Sequence, residues 1–213
     1  MMILFSYLLI PLLFFTAGAP AELDQLINGL QAKYQRMNTL NAEFTQIYNA
    51  PGERPRRESG QLQLKKPGKM RWNYTSPEAK LYVSDGKVIY EYIPAERSAT
   101  RTNAKESDDW RAPFMFLLGR GNLRRDFARI EFAQEGPIRA GHRVLRLVPK
   151  KSSDIREILL EVEPNSFGLA RLTLLKTNNA RIDFLLNNVQ ENPVIADSAF
   201  VFQPPAGVSV RQQ

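Results

Sequence analysis

The stretch KLYVSDGKVIYEYIP, residues 80–94, predicts a tight β-hairpin with one apolar face. Asp85-Gly86 favours a two-residue type I′ turn, because both central residues of that turn need positive φ. This turn would place Val83 opposite Val88. The apolar residues on the shared face are Leu81, Val83, Val88, Tyr90 and Tyr92. The question that this hairpin raises is whether its apolar face covers an ordinary core or a cavity.

Outward from this hairpin, the same alternation predicts further strands. Met70, Trp72 and Tyr74 alternate with polar residues, as Leu62 and Leu64 do before them. The other predicted strands are 61–66, 69–74, 97–102, 127–132, 142–148, 155–163, 169–176, 180–189 and 200–210. Strands in meander order, roughly 10–11 in number, favour an incomplete, strongly curved antiparallel β-barrel.

Two segments have helical patterns. Residues 22–37 carry an apolar stripe at 3.6-residue spacing, which predicts an amphipathic helix. PFMFLL, residues 113–118, predicts a short apolar helix that begins at Pro113. We expect these helices to cover the concave side of the sheet, because its apolar face has to be filled.

The first 21 residues indicate export. MMILFSYLLIPLLFFTAGAPA has no charged side chain and ends in small residues, so we expect a signal peptide that is cleaved after Ala21. An uncleaved anchor is the alternative. Residues 22–213 are long enough for a single domain with its own core. The chain has no cysteine, which excludes disulfides and an acylated N-terminal cysteine. We therefore expect a soluble protein in the periplasm.

The sequence offers little material for catalysis. His142 is its one histidine, and no P-loop, dinucleotide-binding or nucleophile-elbow motif is present. We expect neither an enzyme nor a cofactor or metal site, although a pair of distant carboxylates stays open. The formal charge of +7 comes without a long basic run, which argues against nucleic acid as a partner. The apolar faces leave two hypotheses, an ordinary core or a carrier of an apolar ligand.

Four segments together resemble a known family. LKKPGKMRWNY (64–74), LYVSDGKVIYEYIP (81–94), APFMFLL (112–118) and FVFQPPAGVSV (200–210) are similar to the periplasmic outer-membrane lipoprotein carrier family, LolA. The resemblance runs in order over about residues 22–210. It implies a bent, incomplete antiparallel barrel with a helical lid over a hydrophobic cavity.

The resemblance also implies a function and partners. A carrier of this family receives acylated lipoproteins from an inner-membrane ABC-type exporter and delivers them to an outer-membrane receptor, which is itself a lipoprotein. Because this chain lacks the receptor's cysteine, the resemblance favours the carrier, acting as a monomer without a cofactor.

The resemblance suggests roles for individual residues. Lys66 matches a position that is commonly arginine and holds the lid closed, although lysine lacks arginine's planar fork of donors. Met70 matches a position that is often phenylalanine. The expected lipid-binding wall comprises Leu62, Leu64, Met70, Trp72, Tyr74, Val83, Val88 and Tyr90. The expected lid residues are Leu26, Leu30, Phe114, Phe116 and Leu117.

Two alternatives remain at the level of sequence. The chain could be a related exported binder of another lipid, a glycolipid or a free acyl chain. It could also be a lipid-modifying hydrolase, which would need clustered carboxylates facing the cavity.

Overall fold

The computed structural model describes residues 19–104, 114, 121–151 and 153–212, and their strands form a single sheet. The first six strands are β1 (Thr39–Asn49), β2 (Arg56–Lys65), β3 (Lys69–Ser76), β4 (Lys80–Ser84), β5 (Val88–Ile93) and β6 (Ser98–Asn103). The other six are β7 (Phe127–Phe132), β8 (Arg143–Pro149), β9 (Ile155–Val162), β10 (Leu169–Lys176), β11 (Arg181–Glu191) and β12 (Ser209–Gln212).

The twelve strands have the order β12-β6-β5-β4-β3-β2-β1-β11-β10-β9-β8-β7. Neighbouring strands are antiparallel except for β12, which pairs with β6 in parallel. The sheet is open, with β12 at one edge and β7 at the other. It is strongly curved, because the rings of Trp72 on β3 and Phe184 on β11 are 5.5 Å apart although two strands separate β3 from β11. Strands in a flat sheet are spaced about 4.8 Å apart. The expected incomplete, curved barrel is therefore confirmed.

The helix α1 (Ala19–Arg36) covers the concave side, here called the inner face. Its apolar residues recur every three or four positions, Glu22 lies in its first turn, and Lys33 and Arg36 lie in its last, where they complement the helix dipole. Its sequence includes Gly29, and this glycine has a packing role. A Cβ atom there would lie 2.2 Å from the ring of Phe167, so the glycine allows the β9–β10 turn to approach the helix.

Short elements complete the described chain. The single-turn helix α2 (Leu123–Asp126) precedes β7, and the Asn122 side chain accepts a hydrogen bond from the amide of Arg125 as its N-cap. Two 3₁₀ turns occupy Pro94–Glu96 and Asp197–Phe200. The predicted leader lies outside the described residues except for its last three, 19–21, which belong to α1. The predicted helix at 113–118 lies outside them apart from Phe114.

The β4–β5 hairpin forms where it was expected, but its predicted register is wrong by two residues. Val83 pairs with Tyr90, and Ser84 pairs with Ile89, which leaves a four-residue connection. The reason is Asp85, whose carboxylate accepts hydrogen bonds from the amides of Lys87 (2.8 Å) and Val88 (2.9 Å). This side-chain turn replaces the two-residue backbone turn. Because the shift is an even number, the faces keep their residues.

The convex side of the sheet, here called the outer face, is covered at β4 and β5 by the C-terminal segment. Val83, Ile195 and Phe200 form a buried cluster there, and Phe202 packs against Tyr90 with ring centroids 5.1 Å apart. Lys65 and Lys69 bind the carboxylate of Asp197, which fixes the segment to β2 and β3.

A buried ionic network lies on the outer face of β9 and β10. Glu161 is fully buried and accepts hydrogen bonds from the amides of Ile138 (3.0 Å) and Arg139 (2.9 Å). Arg171 binds Glu161 at 3.1 Å and Glu135 at 2.7 Å. The β7–β8 connection is thereby held over the sheet by paired charges rather than by apolar contacts.

Candidate functional site: the inner face and its lid

The inner face is continuously apolar from β1 to β3 and from β7 to β11. Alternate residues of each strand point to this side, and the register of the pairs places them in rows across the sheet. The buried residues on β1–β3 are Leu40, Ala42, Phe44, Leu62, Leu64, Met70, Trp72 and Tyr74. Those on β8–β11 are Leu145, Leu147, Ile158, Leu160, Val162, Leu169, Leu172, Leu174, Ile182, Phe184 and Leu186.

An aromatic cluster fills the middle of the inner face. The Trp72 ring meets Phe44 at 4.9 Å and Phe114 at 4.7 Å, both edge-to-face. Phe114 also meets Phe184 at 5.1 Å, so its ring bridges β3 and β11. The Phe114 side chain is fully buried. A ligand that reached Trp72 would therefore have to displace Phe114.

The helix α1 closes the inner face on one side. Its buried residues are Leu26, Ile27, Leu30, Tyr34 and Met37. The Tyr34 hydroxyl accepts a hydrogen bond of 3.0 Å from the amide of Leu169, and burial raises the pKa of this tyrosine. Near the two ends of the helix, Glu22 binds Arg143 at 2.7 Å and Lys33 binds Glu191 at 2.5 Å.

Lys66 holds the C-terminal end of α1. Its Nζ donates hydrogen bonds to the carbonyl oxygens of Tyr34 (2.9 Å) and Gln35 (2.6 Å), in the last turn of the helix, where backbone carbonyl groups generally need partners from outside the helix. A cation at this end also complements the helix dipole. Partial burial lowers the pKa of Lys66. Lys66 therefore contacts α1 directly, and its role in holding a lid closed stays a prediction.

A polar network borders the inner face at the start of β2 and β4. The Tyr74 hydroxyl donates to Gln46 Oε1 at 2.6 Å, and Gln46 Nε2 donates to Glu58 Oε2 at 3.3 Å. Lys80 forms an ion pair with Glu58 and lies over the Tyr74 ring, with its Nζ 4.5 Å from the centroid. The apolar surface therefore ends at a paired, polar rim.

The structure brings most of the predicted wall and lid residues together. Five of the wall residues lie on the inner face: Leu62, Leu64, Met70, Trp72 and Tyr74. Of the lid residues, Leu26, Leu30 and Phe114 pack against them. Phe116 and Leu117 lie outside the described residues. The lipid-binding role of these residues stays a prediction.

The placement of Val83, Val88 and Tyr90 on the same wall is wrong. Val83 pairs with Arg71, whereas Tyr82 pairs with Trp72, so Tyr82 rather than Val83 lies on the inner face. Val83 and Tyr90 face the C-terminal segment instead, and Val88 shares their face by alternation. A hairpin with apolar residues on both faces does not reveal which face is concave, because both faces are covered.

Two aromatic residues of the central cluster, Phe44 and Phe184, were not among the predicted wall residues. Phe44 belongs to β1, a strand that was not predicted, and Phe184 belongs to the predicted β11. The signal for β1 was present, since Leu40, Ala42 and Phe44 alternate with Asn41 and Glu43.

Buried carboxylates occur in the described part of the chain, and they lie on the outer face. Glu161 and Asp183 are held there by Arg171 and Arg181. The described residues contain no group of three or more acidic or histidine side chains placed to hold a metal ion. None of the helices in those same ranges is long and apolar enough to cross a membrane.

Comparison with known proteins gives a consistent result. The family model described as outer membrane lipoprotein carrier protein LolA matches residues 35–203. A protein of Chromobacterium violaceum named outer-membrane lipoprotein carrier protein is 30% identical over 195 residues, which cover 91% of this chain and 87% of that protein. A protein of the same name from Pectobacterium carotovorum is 27% identical over 186 residues and 86% of each chain.

Among solved structures, an uncharacterized conserved protein from Thermus thermophilus superposes with a TM-score of 0.55. The match covers 89% of this chain and 98% of the other, at 10% sequence identity. At this identity the likeness shows a shared fold.

Proposed function

Because the chain belongs to the LolA family of outer-membrane lipoprotein carriers, we propose that it carries lipoproteins and shelters their acyl chains on its inner face. The observation that supports this most is the continuous apolar inner face beneath a helix that is held by a few polar contacts. Such a surface takes up extended apolar chains of varied structure, because dispersion and hydrophobic contacts are not directional.

The physical need for a carrier follows from the cost of leaving a bilayer. Each CH₂ group buried in the membrane contributes about 0.8 kcal/mol to anchoring, so a lipoprotein with several long chains leaves very slowly on its own. The apolar inner face replaces the membrane contacts of the acyl chains with protein contacts and keeps the chains out of water.

In this proposal, the arrangement of α1 and Phe114 over the inner face is the closed state of the carrier. Side chains of α1 and Phe114 occupy the space next to Trp72, so acyl chains would exchange with them. Such an exchange replaces one set of apolar contacts with another, and its net free energy is small compared with that of either set. A moderate grip is what a carrier needs in order to release its cargo.

Lys66 is the proposed latch of this closed state. Moving α1 away from the sheet breaks the hydrogen bonds that Lys66 donates to the carbonyl oxygens of Tyr34 and Gln35. It also breaks the ion pairs that Glu22 and Lys33 of the helix form with residues of the sheet. These contacts are polar and partly exposed, so water can replace them as the helix moves. The apolar wall proposed for the acyl chains comprises Leu62, Leu64, Met70, Trp72 and Tyr74, with Phe44 and Phe184 beside them.

The proposal includes the route of the carrier. Residues 1–21 act as a cleaved signal peptide, and residues 22–213 act as a single domain in the periplasm. The partners are an inner-membrane ABC-type exporter, which loads the carrier, and an outer-membrane receptor lipoprotein, which unloads it. No catalytic step is assigned to this chain.

A release assay tests the proposal. Spheroplasts with newly made, radiolabelled outer-membrane lipoprotein are incubated with the purified residues 22–213, and label is counted in the supernatant. We expect release as a one-to-one soluble complex. Absence of label, from spheroplasts whose own carrier does release it, would contradict the proposal. Mass spectrometry of organic extracts of the purified protein would then identify a glycolipid or free acyl chain, if another lipid is the ligand.

A further inference from the structure

A separate pocket opens at the end of the β8–β9 hairpin. It has a volume of about 640 Å³, which lies within the usual range of small-molecule sites, about 300–1,000 Å³. Its lining is mostly apolar and includes Phe127, Pro149, Ile155 and Ile158. Ile158 is buried in the main core, and Phe127 and Ile155 pack against that core, so the floor of the pocket is inner-face surface.

The rim of the pocket is basic. Lys150 and Lys151 are both exposed, and neither forms an ion pair with a carboxylate in the part of the chain that the structure describes. The Lys150 ammonium makes one long contact of 3.4 Å, to the carbonyl oxygen of Arg124. Both lysines therefore keep hydrogen-bonding capacity for a ligand.

The nearby carboxylates already have basic partners. Asp126 is bound by Arg125 at 2.7 Å, and the hydrogen bonds from Arg125 hold the pKa of this carboxyl below its ordinary value. Asp154 is bound by Lys176 at 2.7 Å. The positive charge of Lys150 and Lys151 is thus not cancelled at the rim, and an apolar pocket lies directly beneath it.

The pocket borders α2, where Arg124 binds Asp24 of α1 at 2.7 Å, but it lies away from the contacts that β8, the β9–β10 hairpin and Lys66 make with α1. In β8 the helix contact is made by Arg143, at the start of the strand, whereas the pocket is formed by Pro149, at its end. In the β9–β10 hairpin the helix contact is made by Leu169, at the opposite end from Ile155. A ligand could enter here without breaking the bonds between Lys66 and α1.

We propose that this pocket binds one anionic phospholipid, with an acyl chain against Phe127 and Ile155 and the phosphate at Lys150 and Lys151. An apolar floor alone would accept any acyl chain, and exposed lysines alone would attract any anion only weakly. The two together select an amphiphile whose negative group lies next to its chain. Phospholipid binding in this pocket does not depend on whether the protein carries lipoproteins.

The test uses purified residues 22–213 and soluble lysolipids with a single acyl chain. Binding of lysophosphatidylglycerol, lysophosphatidylcholine and glycerol 3-phosphate is measured by calorimetry below the micelle concentration of each lipid. The test variant carries both Lys150→Glu and Lys151→Glu. The matched control is Lys87→Glu with Arg211→Glu, two exposed basic residues outside this pocket that undergo the same charge change. Circular dichroism confirms that all variants are folded.

We expect one-to-one binding of lysophosphatidylglycerol by the unmodified protein. The substitution of Lys150 and Lys151 should lower this affinity about tenfold, and the control substitutions should leave it unchanged. Lysophosphatidylcholine should bind more weakly, and glycerol 3-phosphate should not bind measurably. Equal binding of the two lysolipids, or equal loss in both variant pairs, would overturn the proposal. Lipoprotein release from spheroplasts is a separate readout, so failure of one function leaves the other standing.

Discussion

Two carbonyl oxygens at the end of α1 accept hydrogen bonds from Lys66, so this side chain should control how readily the helix separates from the sheet. We predict that Lys66→Met lowers the free energy of unfolding by about 1–2 kcal/mol, because hydrogen bonds from a charged donor and its effect on the helix dipole are lost. Urea unfolding measures this loss. Hydrogen exchange should also show faster exchange of the α1 amides in the variant.

Lys65 provides a matched control for Lys66. It also contacts two groups, the carbonyl oxygen of Ile195 and the carboxylate of Asp197, but both belong to the C-terminal segment. Lys65→Met should therefore leave exchange in α1 unchanged, and Lys66→Arg should retain most of the protection. Equal exchange of α1 in Lys66→Met and in the unmodified protein would show that Lys66 is not a latch.

The lowered pKa of Glu135 predicts that the stability of the protein depends on pH. Hydrogen bonds from Arg181, followed by those from Arg171, lower the pKa of this carboxyl from its ordinary 4.5 to about 2. The ionised form is therefore favoured in the folded state. The contribution of ionised Glu135 to the free energy of unfolding is complete above pH 4.5 and is lost as the pH falls towards 2. Because 35% of the Glu135 side chain is exposed, screening reduces this contribution to about 1–2 kcal/mol.

Glu135→Gln tests this contribution. The variant keeps a hydrogen-bond acceptor but loses the charge at every pH, so it should be less stable than the unmodified protein at pH 7. The difference should shrink steadily as urea unfolding is repeated at lower pH between about 4.5 and 2. A difference that stays constant over this range would assign the effect to packing rather than to the carboxylate charge.

Some residue-scale features could be predicted from the sequence. Alternation identified Trp72, Met70 and Leu64 as members of one apolar face, because the period of two is a local property. It could not show that Val83 belongs to the opposite face, since that depends on the pairing of β4 with β3. It also could not reveal the contact of Gly29 with Phe167, which joins residues far apart in the chain.

At the scale of elements, the C-terminal segment acts as a cover for the outer face of β4 and β5. Phe200 is 2% exposed and packs against Val83, whereas the adjacent Val201 is 54% exposed. We predict that Phe200→Ala lowers the free energy of unfolding by about 3 kcal/mol, because it leaves a cavity in a buried cluster. Urea unfolding measures the change.

Val201→Ala is the control for this prediction, and it should change the free energy of unfolding by no more than about 0.5 kcal/mol. Similar small losses in both variants would mean that the segment is loosely attached and that the outer face does not depend on it.

Most elements could be predicted, but two of their features could not. The β1 strand was missed, and its alternation is weak because Ala42 is small and Gln46 is polar although buried. Gln46 is buried because Tyr74 and Glu58, on other strands, bind its amide. The β4–β5 register was wrong because the Asp85 side chain, rather than the backbone alone, determines the turn. Side-chain hydrogen bonds thus explain both errors.

At the scale of the molecule, the curved sheet and its helical cover could be predicted because one-sided alternation recurs along most of the chain. The number of strands could not, since β1 was overlooked and β12 begins only at Ser209. The open edges at β7 and β12 are also a property of the whole sheet. Charge and composition were consistent with a carrier but did not distinguish its chamber from an ordinary core.

The central claim is that acyl chains of the cargo reach Trp72 on the inner face. The chain has two tryptophans, so Trp110→Phe leaves Trp72 as the sole indole fluorophore. We would titrate this variant with a synthetic triacylated lipopeptide whose chains carry bromine, which quenches indole fluorescence only at short range. An unbrominated lipopeptide of the same structure is the control. The account predicts quenching by the brominated lipopeptide alone. Co-elution of the lipopeptide with the protein on gel filtration, without quenching of Trp72, would contradict it.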